Sequence, residues 1–199
     1  MGTERLEAFS DGVLAIVLTI MVLELKVPEG TAFEDLRPIL PVFLSYVLSF
    51  VYIGIYWNNH HHMLRVTPTV SGGILWANLH LLFWLSLVPF VTGWMGENHF
   101  ARTPVALYGF VLLMAGLAYF ILQTTIIAKN GRNSVLAAAI GSDLKGRLSP
   151  VAYLVAIPTA FLSQWIAGLI YIGVALVWLV PDRRVERALA AGTLSSARE

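Results

Sequence analysis

Arg5, Glu7, Ser10 and Asp11 place three charges and a hydroxyl at the start of a segment that then turns apolar, from Gly12 to Leu23, and is bounded by Asp11 and Glu24. Ionisable groups at bilayer depth are expensive, so such residues pair with polar partners on other helices or face a wet cavity. The alternative is that the embedded part starts near Gly12 and leaves them in cytoplasmic water. The same segment carries a second pattern. At about 100° per residue, Arg5, Phe9, Gly12, Ile16, Thr19, Ile20 and Leu23 share one stripe roughly 100° wide, and Asp11 points elsewhere. A stripe of this kind on a single helix is ordinarily contact surface.

Further along stand His60, His61 and His62, and the isolated polar residues Asn78 and His80. Three consecutive histidines on a helix point in three directions and do not converge on one ion, so no metal site is expected there. Beside Arg65 they read as an interfacial, partly protonatable cap. Asn78 and His80 either hydrogen-bond locally inside a bundle or meet the polar start of the chain. Trp76, Trp84, Trp94 and Trp165 read as belt or contact residues. The chain has no cysteine, which excludes disulfides, thioether-linked haem and thiolate metal sites. A net charge of +1 without a Lys/Arg cluster argues against a nucleic-acid partner.

The elements that position these residues follow from hydropathy. Of 199 residues, 57% are hydrophobic and 13% charged, with a mean hydropathy of +0.73, against roughly a quarter charged in soluble domains. The pattern predicts an all-α polytopic membrane protein, one domain of six transmembrane helices over about 3–25, 36–63, 73–95, 103–129, 148–162 and 165–180. Acidic residues at the N-terminus and the lack of a small-x-small pair after Leu23 read as a retained first helix, not a cleaved signal. Thr31 with Glu34 reads as a capping box before the second helix, and Pro89 is expected to kink the third. Thr103 followed by Pro104 reads as the start of the fourth helix, and Asn130-Gly131 as its stop. The last apolar stretch is too long for one crossing, and basic residues flank both its ends, so it divides at Ser163-Gln164. Arg5, Arg65, Lys129, Arg132, Lys145, Arg147, Arg183, Arg184, Arg187 and Arg198 then fall on one side against Lys26, Arg37 and Arg102, ten to three, which puts both termini in the cytoplasm.

The string Arg5-Leu6-Glu7-Ala8-Phe9-Ser10-Asp11 resembles the Arg-x-x-x-Phe-Ser-Asp signature that opens the first helix of the transmembrane-protein-175 family, the lysosomal potassium channel and its prokaryotic relatives. Tyr56-Trp57-Asn58-Asn59-His60 resembles the end of that family's second helix. Leu75-Trp76-Ala77-Asn78-Leu79, running on to Pro89-Phe90, resembles its third.

The resemblance implies a potassium-permeable channel of the prokaryotic cell membrane, multi-pass in the lipid bilayer, not an enzyme, with no cofactor beyond the permeant potassium ion. It further implies a homotetramer with the first helix lining the pore. Its apolar constriction would fall on Ile16, Ile20 and Leu23, with Thr19 as a polar ring. It also implies a network holding the pore helix through Arg5, Phe9, Ser10 and Asp11, whose candidate partners are Trp57, Asn58, Asn78 and His80. Apolar rings at Ile16, Ile20 and Leu23 would occupy about 10 Å along an axis and gate by dewetting. No Thr-Val-Gly-Tyr-Gly loop is present, so selectivity would rest on pore width and ion dehydration. The rival readings are a secondary transporter using breaks at Pro89 and Pro158, a haem-binding membrane protein using His80 with one of His60 to His62, and a structural membrane protein.

Overall fold

The computed structural model describes residues 2–131, 134, 136 and 144–179, and the regular structure among them is entirely helical. In chain order the elements are α1 (Thr3–Val22), a 3-10 helix (Phe33–Ile39), α2 (Leu40–Arg65), α3 (Gly72–Ser86), α4 (Val88–Glu97), α5 (Arg102–Asn130), α6 (Leu144–Leu162) and α7 (Gln164–Leu179). Phe33–Arg65, Gly72–Glu97 and Arg102–Asn130 are long and apolar enough to cross a bilayer, and α7 is apolar but shorter. The 20 residues of α1 reach about 30 Å, also a membrane thickness, but its first turns carry charge.

The third apolar run is two helices, not one bent helix. Pro89 has no amide hydrogen to offer the Leu85 carbonyl, so α3 ends at Ser86 and Leu87 caps both halves, its own amide turning back to Trp84 O at 3.2 Å. Two helix starts also differ from the sequence reading. The 3-10 helix opens where the Asp35 carboxylate accepts from the Ala32 amide at 2.9 Å, so Asp35 does the work assigned to Thr31 and Glu34. Helix α5 begins at Arg102 after Ala101, which leaves Thr103 and Pro104 inside the first turn, where a missing N–H costs nothing. Its end is at Asn130, where Gly131 takes φ +94° and sends its amide to Ile127 O.

Helix α5 forms the middle of the bundle, lying along α3 and α6 and touching α4 and α7, while α1 lies on α2, α3 and α4. Hydroxyl groups knit these helices where lipid supplies no hydrophobic drive between them. Ser49 of α2 bonds Thr92 of α4 at 2.6 Å and Tyr108 of α5 at 3.0 Å. Tyr52 donates to Tyr171 O at 2.6 Å, and the Tyr171 hydroxyl to Val105 O at 3.1 Å. Gly96 lets α4 close onto α2: a Cβ there would stand 2.6 Å from Val42 Cα.

At one end of the bundle Thr3 donates to Thr67 O, and Thr69 bonds Asn130, so the start of α1, the α2–α3 loop and the end of α5 share that end with Arg5, Arg65 and Lys129. At the other, Lys26 bonds Glu97 at 2.8 Å, and that hydrogen bond, with the carboxylate charge, holds the ammonium above its ordinary range. Arg132, Arg183, Arg184, Arg187 and Arg198, on which the orientation also leans, lie outside the described residues.

Candidate functional site

Helix α1 has two unlike faces. Leu6, Ser10, Leu14, Val17 and Met21, at spacings of three and four, are buried against the bundle. A second stripe, Arg5, Phe9, Gly12, Ile16, Thr19, Ile20 and Leu23, is exposed along its whole length, with Ile16 at 57% and Leu23 at 77%. Leu23 is the C-cap of α1 and lies just past its last turn. The Thr19 hydroxyl donates back to Ala15 O and Ile16 O, both at 3.0 Å, so its oxygen shows outward as an acceptor.

The buried face is fixed by a chain of hydrogen bonds running across three helices. Asn78 of α3 donates through Nδ2 to Ser10 Oγ at 3.0 Å, Ser10 donates to Leu6 O at 2.8 Å, and the Asn78 Oδ1 receives His60 Nε2 of α2 at 2.7 Å. All three side chains are fully buried. The direction is self-consistent: with the Ser10 proton committed to Leu6 O, Asn78 must donate to Ser10 and accept from His60, which places the imidazole proton on Nε2. The His60 Nδ1 that remains is a buried lone pair with no partner among the described residues, which costs less than a stranded N–H. Closer to the surface, Trp57 Nε1–H donates to Asp11 Oδ1 at 3.0 Å, and His61 Nδ1 stands 2.6 Å from Glu7 Oε1.

The structure thus brings Ser10, Asp11, Trp57 and Asn78 together across α1, α2 and α3, and leaves out Arg5, Phe9, Asn58 and His80. His80 takes the indole N–H of Trp84 at 2.9 Å, one turn along its own helix. Arg5, Phe9 and Asn58 are exposed, and no ion pair to Arg5 occurs among the described residues. Sequence reasoning missed His60 and His61. His60 is not an interfacial cap: it continues the buried face of α2 at the spacing of Ser49, Ile53, Met63 and Leu64, a periodicity that picks it out of the triplet.

Comparison with known proteins decides the family. The model of the family described as endosomal/lysosomal potassium channel TMEM175 matches residues 5–89, the stretch that holds most of α1, all of α2 and α3 and the Ser10, Asp11 and His60 contacts. A potassium channel of Chryseobacterium sp. (strain P1-3) is 57% identical over 189 residues, 95% of this chain and 98% of the relative. The chain belongs to the TMEM175 family. A potassium channel of Streptomyces collinus is 34% identical over 123 residues, 58% of this chain and 60% of its own. The crystal structure of a lysosomal potassium-selective channel TMEM175 homolog from Chamaesiphon minutus superposes with a TM-score of 0.77 at 28% identity, covering 90% of this chain and 97% of that one. The TMEM175 assignment makes the fold that of a polytopic membrane protein, and the Phe-Ser-Asp string on α1 supplies the Ser10 and Asp11 contacts seen in this structure.

Proposed function

We propose that the chain is one subunit of a potassium-permeable channel, a homotetramer in the bacterial cell membrane with both termini cytoplasmic, whose pore is lined by the exposed stripe of α1. The observation that carries this reading is the division of α1. One face is tied to α2 and α3 by buried polar bonds, and another, from Ile16 to Leu23, is left exposed by the described helices. The potassium channels it resembles along their whole length support the ion.

A single helix cannot enclose a pore, so copies must surround an axis. Ile16, Ile20 and Leu23 then form stacked apolar rings about 10 Å deep that conduct when wet and close when dry. Between them Thr19 turns acceptor oxygens toward the axis, because its proton is held by the backbone. The groove beside the stripe, lined by Val13, Ile20, Pro89 and Phe90, receives the neighbouring subunit. Selectivity without a carbonyl cage rests on pore width and dehydration, so it is modest.

The test is potassium flux into liposomes for the wild type, Ile16→Asn and Leu23→Asn. Polar rings wet the constriction, so both variants conduct more and discriminate less between potassium and sodium. Unchanged conductance and ion preference in both would remove α1 from the pore.

A further inference from the structure

At the half-buried end of α1, Asp11, already bonded to Trp57, is joined by Glu7 and His61, two side chains that the pore reading does not use. Glu7 and Asp11 stand one turn apart on α1, on the same side of the helix, and the ring of His61 on α2 closes over them. One ligand atom from each of the three lies within 4.8 Å of the other two, and all three side chains are partly buried. This is a mixed set, one imidazole nitrogen and two carboxylate oxygens from two helices, and not a patch of acids. Both helices hold their donors in place. Trp57 Nε1–H bonds Asp11 Oδ1 at 3.0 Å and the indole stacks on the His61 ring at 27° with centroids 6.1 Å apart. Outer partners of this kind orient metal-bound rings and carboxylates.

We propose that Glu7, Asp11 and His61 form a site for a divalent transition-metal ion of the zinc type, joining the first turns of α1 to the last turns of α2. Three protein ligands leave one tetrahedral position for water. Ligand atoms about 2.0–2.2 Å from zinc sit roughly 3.4 Å apart, so the Glu7–His61 pair, now at 2.6 Å, opens, and Asp11, within 4.8 Å of both, closes in. A nitrogen donor favours zinc, cobalt or nickel, whereas magnesium and calcium seek oxygen ligands and more of them. The ion neutralises two carboxylates that a single imidazole faces. It also fixes the rotation of α1 about its axis by bonds to the side opposite Ile16 and Ile20, so occupancy sets how rigidly the exposed stripe is held.

The experiment uses full-length, untagged, chelator-treated protein in detergent, titrated with Zn2+ by calorimetry and by dialysis with metal analysis. Wild type is expected to bind one Zn2+ per subunit, with millimolar Mg2+ failing to compete. Glu7→Gln, Asp11→Asn and His61→Gln are each expected to weaken binding about tenfold or more. His99→Ala, exposed at the far end of the bundle, leaves it unchanged. A rise in the wild-type unfolding midpoint with Zn2+ is expected whether or not every variant folds. The proposal is overturned if wild type binds no Zn2+, if Mg2+ displaces it, or if His61→Gln abolishes binding while both carboxylate variants keep it, which is adventitious capture by the histidine triplet.

Discussion

Asn78→Leu isolates the hydrogen bonds that anchor α1, because leucine keeps the volume and removes both polar atoms. The substitution strands the His60 Nε2–H, since the ring's other nitrogen is already without a partner and a shift of the proton strands Nδ1–H instead. A buried donor left unpaired costs about 1–3 kcal/mol, and the lost bond to Ser10 adds about 0.6 kcal/mol, the mean for interhelical bonds in membrane proteins. The sum is about 1.6–3.6 kcal/mol, a fall of roughly 3–14 °C in the unfolding midpoint for a chain of this size. Ser10→Ala alone strands the Asn78 amide and lowers the midpoint by a comparable amount. Added to Asn78→Leu it costs little, because the donor it would strand is gone. The assay is thermal unfolding of purified protein followed by intrinsic fluorescence, for both single variants and the double. Additive losses, or an Asn78→Leu midpoint within about 1 °C of wild type, would refute the directed chain from His60 through Asn78 to Ser10.

Gly96→Ala drives a methyl into Val42 Cα and Ser45 Oγ, at 2.6 and 2.5 Å, and since backbone cannot step aside α4 must move off α2; a loss of about 2 kcal/mol or more is expected in the same assay. Trp57→Phe removes the donor to Asp11 and keeps an aromatic ring beside His61; Trp57 is 44% exposed, so the midpoint shifts by no more than about 2 °C. His80→Leu breaks a bond within α3 alone, and it leaves flux and assembly at wild-type levels when measured beside Asn78→Leu.

Helical content was legible because long apolar runs admit little else, and so were the stop at Gly131 and a disruption at Pro89, though not that Pro89 divides the run into two helices; three of the described segments are long and apolar enough to cross a bilayer. The helix starts were less so. Thr31, Asp35 and Thr103 all have the side chains to cap, and which one closes depends on turn geometry that spacing does not set. The Ser10–Asn78 and Asp11–Trp57 contacts were expected from the resemblance of the Arg5 to Asp11 string, not from spacing alone. The anchor was not legible where a local bond competes: His80 has Trp84 four residues on, and helical spacing satisfies it without any other helix. His60 was readable from the face it shares with Ile53 and Leu64, but the triplet drew attention to the interface.

The central claim, that the stripe of α1 faces an ion path, is tested most directly by single cysteines, since the chain has none of its own. Ile16→Cys, Ile20→Cys and Leu23→Cys channels in liposomes are exposed to a water-soluble, charged thiol reagent while potassium flux is recorded, with Phe43→Cys and Phe120→Cys, exposed on other helices, as controls. The account predicts that flux is blocked in the α1 series and untouched in the controls. Flux that survives modification at all three α1 positions, or is lost equally at Phe43 and Phe120, contradicts it.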